Sequence, residues 1–265
     1  MTCSPLEAAN WLRPDWPAPA NVRAACTTRN GGVSMPPYDR LNLGTHVGDD
    51  AKAVAHNRAV LQQTLGVKPV FLNQVHGIDV QELDHGTPDG AAVDGAFTSA
   101  RGLACTVMVA DCLPVLLCDV QGTQVAAVHA GWRGLAGARG IGVLEQVLKQ
   151  FRPLAPVQYA YEAPELIAWL GPCIGPTAFE VGAEVVKAFT QTNPQTLECF
   201  SPQPGGKWLA NLQALARQRL AALGVTQIFG NDGSAPWCTV GNPSQLFSHR
   251  RDRVSGRLAA CIWLE

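Results

Sequence analysis

Short apolar runs, separated by glycine, proline and polar turns, hold most of the hydrophobic residues of this chain. Runs of this length, rich in valine and isoleucine, are typical of buried strands. They predict strands at Val22–Thr28, Val70–Val75, Val125–His129, Ile167–Ile174 and Leu258–Leu264. The longer run Leu103–Asp119 is interrupted by polar residues and by a proline, which cannot donate to a sheet ladder. We therefore expect two strands there, joined at a bend around Asp111–Pro114.

Apolar residues recur with a helical period in four other segments. Between Asp50 and Leu65, a shared face contains Val54, Arg58, Leu61 and Leu65. Asp49 or Asp50 can cap this helix and Gly66 can end it. Further helices are predicted from the turn Gly131–Gly134 to about Phe151, at about Glu180–Thr190, and at Leu209–Leu223 followed by Gly224.

Strands and helices alternate irregularly, with hairpin-like pairs among them. The sequence has no internal period, no low-complexity tract and no long linker. These features predict an α+β fold, in which residues 1–265 form a single domain of mixed β-sheet with flanking helices.

Composition excludes several classes of function. Apolar residues make up 47% of the chain, charged residues 15%, and the formal net charge is −1. Nucleic acid and anionic lipid usually require a basic surplus, so neither is an expected partner. The nine cysteines form no CxxC pair, and neither a signal peptide nor a membrane-spanning apolar run is apparent. We expect a cytoplasmic protein with reduced thiols.

Three polar residues at the ends of the predicted strands suggest a metal site. They are His76, expected at the tip of the strand Val70–Val75, Cys112 at the bend, and His129. Two imidazoles and a thiolate suit Zn²⁺ and leave a fourth position open, as in catalytic sites. The spacing matches neither a zinc finger nor a metalloprotease helix. Each residue alone would be better explained as an ordinary core residue, but the three together, each beside Gly, Pro or Asp, favour the metal site.

The same atoms also permit a different chemistry. Cys112 could be a thiolate nucleophile, with His129 as its base and Asp111 as an orienting carboxylate, as in cysteine hydrolases. His76 favours the metal interpretation, because a cysteine–histidine pair needs no further imidazole. The sequence leaves both interpretations open.

Candidate anion-binding groups lie in two glycine-rich turns. At Gly131–Gly134 a strand leads into a helix, where backbone N–H groups and Arg133 can bind an anion. The loop Thr27–Gly32 carries Arg29 and either closes over a substrate or makes a hairpin turn. Asn42 offers a further hydrogen-bonding group, His46 is expected near the site, and Arg250–Asp252 is interpreted as a salt-bridged corner.

Together, motifs spread along nearly the whole chain resemble the YfiH-like laccase-domain family. This family is also described as multicopper polyphenol oxidases and as zinc-dependent purine nucleoside phosphorylases. The matching segments are Thr27–Ser34, Leu41–Gly44, His46–Asp49, Asn73–Gly77, Ala110–Val115, His129–Gly134, Gly171–Gly175, Phe179–Gly182 and Arg250–Asp252. The resemblance implies that His76, Cys112 and His129 are the metal ligands. It also implies a mixed α+β fold shared with a cytotoxic-necrotizing-factor-like cysteine hydrolase.

Two departures from the family pattern stand at Val93–Ala96 and at Asn211. Neither is expected to touch a metal ligand.

The resemblance implies a zinc enzyme acting on purine nucleosides, with Cu²⁺ as a possible substitute metal. Expected reactions are phosphorolysis of adenosine, inosine and 5′-methylthioadenosine, and deamination of adenosine. Zinc would activate water for attack on C6 of adenine. Arg29 and the amides near Arg133 would hold phosphate, and Asp111 would carry protons or fix a histidine tautomer.

Three alternatives remain at this point. A cysteine hydrolase or amidase, with a cell-wall precursor as one candidate substrate, would use Cys112 and His129. A copper-dependent polyphenol oxidase would need many more histidines than the chain offers. A non-enzymatic zinc module would need a fourth protein ligand.

Overall fold

The computed structural model describes residues 10–151 and 165–265, which form three β-sheets with helices packed around them. A four-stranded sheet contains, in spatial order, Val22–Cys26 (β1), Leu258–Leu264 (β13), Leu103–Val109 (β5) and Lys68–Phe71 (β2). Strand β2 runs parallel to β5, and the other neighbours are antiparallel.

The remaining strands form the other two sheets. The six-stranded sheet has the order Gln227–Gly230 (β12), Leu166–Leu170 (β8), Leu113–Asp119 (β6), Val125–Ala130 (β7), Gly95–Thr98 (β4) and Val80–Glu82 (β3). A three-stranded sheet is formed by Phe200–Gln203 (β10), Lys207–Ala210 (β11) and Glu180–Val181 (β9). Parallel and antiparallel pairs occur together, so the predicted mixed α+β fold is confirmed.

Six helices are described, and each covers one face of a sheet or a turn. Their bounds are Ala51–Leu65 (α1), Trp132–Ala136 (α2), Val143–Leu148 (α3), Ala183–Thr190 (α4), Leu212–Ala222 (α5) and His249–Asp252 (α6). No helix in the described part of the chain is long and apolar enough to cross a membrane.

The core has layers because side chains alternate between the two faces of each strand. Leu103, Cys105 and Val107 of β5 face the six-stranded sheet and pack with Leu116 and Ala127. The intervening residues of β5 face the opposite way, toward α1. Alternate residues of β6 and β7 pack in turn against α2 to α5. The two larger sheets therefore share one dry interface.

Several predicted elements are confirmed. Helix α1 begins after Asp50, whose side chain accepts the Ala53 N–H, and ends at Gly66 in the left-handed conformation. The apolar run from Leu103 divides into β5 and β6 at the predicted bend. The C-terminal strand β13 has the predicted bounds.

Other boundaries were wrong. Strand β2 ends at Phe71, so His76 lies in a loop rather than at a strand tip. The segments predicted as helices from Glu180 and from Leu209 both begin in strands, β9 and β11. In the second of these, the Asn211 side chain accepts the Ala214 N–H and starts α5 only at Leu212.

The long helix predicted from Gly131 to Phe151 is divided into α2 and α3. Gly137 ends α2 with φ +62°, a backbone conformation that L side chains rarely adopt. A β-carbon added at Gly137 would overlap the backbone of Ile141 and Gly142. The close return of the chain at this point therefore requires glycine.

Gly137→Ala should destabilise the fold by about 2–4 kcal/mol, because strain from the positive φ adds to a backbone clash. Gly140→Ala is the matched control, since Gly140 has φ +79° and an added β-carbon would meet the Thr192 side chain at 3.6 Å, an ordinary contact. That control should lose only about 1 kcal/mol. Urea denaturation measures both, and equal losses would contradict the proposed clash.

Candidate metal centre

The structure brings His76, Cys112 and His129 together. One ligand atom from each residue lies within 4.8 Å of the others, and no second group of three or more such residues occurs within residues 10–151 and 165–265. The Cys112 Sγ lies 3.8 Å from the His76 Nε2. The two imidazole rings meet edge to face, with centroids 4.8 Å apart. Residues distant in sequence thus form one compact donor set.

Local backbone structure explains this convergence. His129 lies near the end of β7, directly opposite Pro114 of β6, and Cys112 occupies the turn just before β6. His76 reaches the same point from the loop after β2, where it adopts φ +60°. The Gln74 side chain fixes that loop by exchanging two hydrogen bonds, each 2.7 Å, with the backbone of Met108 on β5.

Gly131 leaves the space in which the three side chains meet. A β-carbon at this position would lie 2.9 Å from the His76 Cδ2 and 3.1 Å from the Cys112 Sγ. Any side chain here would push the ligands apart. Glycine is therefore required at position 131 because the side chains of His76 and Cys112 come close to its α-carbon, and not because of its backbone angles.

A buried carboxylate, Asp94, orients both histidines. Its Oδ1 accepts a hydrogen bond from the His129 Nδ1 at 2.8 Å, which leaves the His129 Nε2 free to act as a ligand. The same carboxylate accepts the backbone N–H groups of Val75, His76 and Gly77 at 3.1, 2.9 and 2.6 Å. Burial opposes ionisation of Asp94, but these donors outweigh it and lower the carboxyl pKa.

The expectation that the departure at Val93–Ala96 touches no metal ligand was wrong. Within this segment, Asp94 accepts hydrogen bonds from the His129 side chain and from the backbone of His76. The missing information was the strand β4, which begins just after Asp94 and pairs antiparallel with β7.

The tautomer-fixing role predicted for Asp111 belongs to Asp94. Asp111 has φ +102°, and its Oδ1 accepts hydrogen bonds from the Thr239 and Ser248 hydroxyls at 2.6 and 2.7 Å. Its Oδ2 accepts the backbone N–H of Arg250 at 2.6 Å. Asp111 therefore attaches the C-terminal segment around α6 to the turn that carries Cys112.

Cys112 and His129 shift each other's ionisation. Burial disfavours the thiolate, yet His129 and His76 reverse this effect and lower the Cys112 pKa to about 6. Burial likewise disfavours the imidazolium, but the Cys112 thiolate and Asp94 raise the His129 pKa to about 9. At pH 7 the pair is thus a thiolate beside an imidazolium, and a metal would displace the imidazolium proton.

A cavity of about 390 Å³ opens onto the three residues. Its apolar lining consists of Met108, Val109, Ala110, Ile174 and Phe179. Its histidine and arginine lining, apart from the two histidines of the metal centre, consists of His46, His249, Arg250, Arg253 and Arg257. The expected proximity of His46 to the site is confirmed.

The three predicted substrate-binding residues lie elsewhere. Arg29 donates to the carbonyls of Asp39 and Pro243 and stacks on the Phe247 ring at 4.8 Å, so it joins loops. Arg133 is exposed, with its guanidinium over the Trp132 ring at 4.4 Å. The positive charge predicted at the site is present, but the arginines that supply it belong to the C-terminal segment, namely Arg250, Arg253 and Arg257.

Asn42 is fully buried and serves the site indirectly. Its Nδ2 donates to the Asp49 carboxylate at 2.9 Å, and its Oδ1 accepts the backbone N–H of Arg257 at 2.9 Å. It therefore positions one of the arginines that line the cavity.

The Arg250–Asp252 segment combines two roles. Arg251 pairs with Asp252 at 2.7 Å and donates to the carbonyls of Thr239 and Leu246, which confirms the predicted salt-bridged corner. Arg250, by contrast, lines the cavity. Because adjacent side chains of this short helix point in different directions, sequence alone could not separate the two arginines.

Comparison with known proteins agrees with the geometry. A family model described as multi-copper polyphenol oxidoreductase laccase matches residues 23–265. The chain is 46% identical over 256 residues to a purine nucleoside phosphorylase of Pseudomonas aeruginosa, covering 96% of this chain and 98% of that protein. It is 47% identical over 253 residues to the purine nucleoside phosphorylase YfiH of Escherichia coli K12, covering 95% and 97%.

A solved structure is similar to this chain in both sequence and fold. The crystal structure of a Neisseria meningitidis protein of family DUF152 superposes with a TM-score of 0.84 at 46% identity, covering 97% of this chain and 99% of that one. These matches extend over nearly the whole length of each protein. The chain therefore belongs to the laccase-like YfiH/DUF152 family, whose model carries the multi-copper polyphenol oxidoreductase description.

Proposed function

We propose that this protein is a zinc-dependent purine nucleoside phosphorylase that also deaminates adenosine. Its substrates would be adenosine, inosine and 5′-methylthioadenosine, together with inorganic phosphate. One observation carries the proposal: His76, Cys112 and His129 converge at an open cavity. Relatives that match over nearly their full length are named purine nucleoside phosphorylases, which supports this choice of substrate class.

The donor set suits zinc. Two imidazole nitrogens and a thiolate provide three ligands, and the cavity leaves the fourth position accessible to water or substrate. Bound there, zinc would supply a Lewis acid that activates water near neutral pH. Cu²⁺ would also be accepted by these ligands, since copper binds most such sites more tightly than zinc.

The protein's own residues would organise the reaction around the metal. Asp94 holds the His129 Nδ1 proton and keeps the loop of His76 in place. The cavity volume, about 390 Å³, is within the usual range for small-molecule sites. Met108 and Phe179 offer an apolar wall for a flat purine, whereas the arginines supply the positive charge that an anionic cosubstrate requires.

We further propose that residues 1–265 form a single domain and that the protein works in the cytoplasm. The eight cysteines in the described part of the chain are all free, as expected in a reducing compartment.

A cysteine hydrolase is the second candidate, favoured by one specific observation. Cys112, His129 and Asp94 form a thiolate–imidazole–carboxylate series, with the Cys112 pKa lowered to about 6. Asp94 thereby replaces Asp111 as the orienting carboxylate of this alternative. Such an enzyme would keep its activity after chelation and lose it on alkylation of Cys112.

Phosphate-dependent release of hypoxanthine from inosine tests the proposed function. We expect activity in zinc-loaded protein, loss on chelation, and recovery when zinc is restored. Cys112→Ala should lower turnover at least about a hundredfold without rescue by zinc, because one ligand is missing. Cys199→Ala, which removes a buried thiol that does not line the cavity, should remain active. Equal activity of the loaded, chelated and Cys112→Ala samples would reject the proposal.

Asp94→Asn tests the support of the ligands independently of turnover. We expect the zinc dissociation constant to rise about 10- to 100-fold, because the variant loses the charge that holds the His129 tautomer and the His76 loop. Competition with a chromophoric chelator measures this constant. Asp119→Asn is the control, since Asp119 is a buried carboxylate that binds only its own turn, through Thr123 and Gln124. If both variants bind zinc like the original protein, Asp94 has no such role.

Alkylation of the metal-free protein tests the ionisation of Cys112. The iodoacetamide rate should be constant above about pH 7 and fall about tenfold per pH unit below about pH 6, where the thiolate becomes protonated. Peptide mapping locates the modified cysteine, and added zinc should protect it. Cys118 and Cys261 should react slowly, because burial raises the pKa of both thiols to about 12. A midpoint near pH 9 for Cys112 would contradict the thiolate–imidazolium pair.

A further inference from the structure

Arg257 is held rigidly at the edge of the cavity. Its backbone N–H donates to the Asn42 side chain, and its carbonyl accepts the Leu43 N–H at 3.2 Å. The aliphatic part of the side chain crosses Gly44, where a β-carbon would lie only 2.8 Å from the Arg257 Cγ. The segment 42–44 thus makes room for this arginine and fixes its backbone.

One edge of the Arg257 guanidinium has no partner. The Nη1 donates to the carbonyls of Ser255 and Gly256 at 2.9 and 3.1 Å. The Nε and Nη2 make no hydrogen bond to any described residue, although the side chain lines the cavity. These two nitrogens form the side-on edge with which arginine binds two oxygens of a phosphate or carboxylate.

Arg253 is a second arginine that lines the cavity and whose charge has no ion-pair partner in the described part of the chain. It follows α6 with φ +62°, and its guanidinium has neither a hydrogen bond nor a salt bridge within the described chain. Three arginines away from the cavity, by contrast, pair with carboxylates: Arg29 with Asp39, Arg58 with Asp89, and Arg219 with Glu145.

Two anionic groups, Asp111 and the Cys112 thiolate, attract Arg257 without accepting a hydrogen bond from it, and both line the cavity. The carboxylate that lines it, Asp111, is already occupied by two hydroxyls and the Arg250 N–H. The Cys112 thiolate would be engaged by the metal. Two arginines with free N–H groups therefore line a cavity of mixed polar and apolar character beside the proposed metal position, where an anion would be bound with charge-assisted hydrogen bonds.

We propose that Arg257 and Arg253 bind the inorganic phosphate used in phosphorolysis, an inference that rests on the proposed function. The Nε and Nη2 of Arg257 would each donate to one phosphate oxygen, and Arg253 would balance the second negative charge. A third oxygen of hydrogenphosphate then attacks C1′ of the ribose. The bond from C1′ to N9 breaks, its electron pair stays on N9, and the hydrogenphosphate proton ends on the free base.

Steady-state kinetics with inosine and inorganic phosphate test this assignment. Arg253→Gln and Arg257→Gln should each raise the phosphate KM about tenfold or more, and Arg257→Lys should raise it too, because lysine lacks the two-nitrogen edge. The inosine KM should change less than threefold. Arg101→Gln, an exposed arginine at the opposite end of β5, is the control and should match the original protein.

Arg253→Gln keeps the test valid if Arg257→Gln fails to fold, because the Arg253 side chain supports no described contact. An unchanged phosphate KM in folded Arg253→Gln and Arg257→Lys would overturn the inference while leaving the proposed function intact. Absence of phosphorolysis in the zinc-loaded original protein would instead overturn the proposed function. Inosine 5′-monophosphate, used as an inhibitor, tests whether the arginines bind the phosphate group of a nucleotide instead of inorganic phosphate. If its inhibition constant rises in the variants while the phosphate KM is unchanged, free phosphate is rejected as the ligand.

Discussion

A single buried carboxylate holds this site together. Asp94 accepts four N–H groups, one from the imidazole of His129 and three from consecutive residues of the loop that carries His76. Each charge-assisted hydrogen bond of this kind contributes about 1.5–3 kcal/mol, and the burial of Asp94 makes any loss expensive. The orientation of His129 and the position of His76 therefore depend on the same charge, and loss of that charge would disturb both.

The sheets bring this carboxylate to the ligands. Pairing of β4 with β7 places Asp94 beside His129, while the turn from β5 to β6 presents Cys112 on the other side. The dry interface between the two larger sheets is formed by alternate residues of these strands. Because a shift by one residue would turn those side chains outward, the packing that stabilises the fold also fixes the register of the site.

The features that were predicted correctly from the sequence depend on residues close to one another in the chain. The cap at Asp50 and the left-handed Gly66 are local signals, and both were recognised. The division of the apolar run into two strands was also correct, although it falls at residues 110–112 and Pro114 itself lies within β6. His76, Cys112 and His129 were identified because polar groups beside apolar runs are unusual and their chemistry is shared. The family resemblance agrees with the same three residues.

The features that were not predicted from the sequence depend on contacts between residues far apart in the chain. Asp94 is 35 residues from His129, and nothing near it in sequence indicates that contact. Arg257 acquires its position from Asn42, which is 215 residues away, whereas Arg29 carried the more obvious motif and proved to join loops. The division of α2 from α3 similarly depends on where the backbone of Ile141 returns. Long-range partners, rather than local propensity, decide these features.

X-ray absorption at the zinc edge gives the most direct test of a zinc centre made from these three side chains. Protein loaded with one equivalent of zinc should show one sulfur at about 2.3 Å and nitrogen or oxygen ligands at about 2.0–2.1 Å. The sulfur signal should disappear when Cys112 is replaced by serine. A coordination shell without sulfur in the original protein, or failure to retain zinc, would contradict the account.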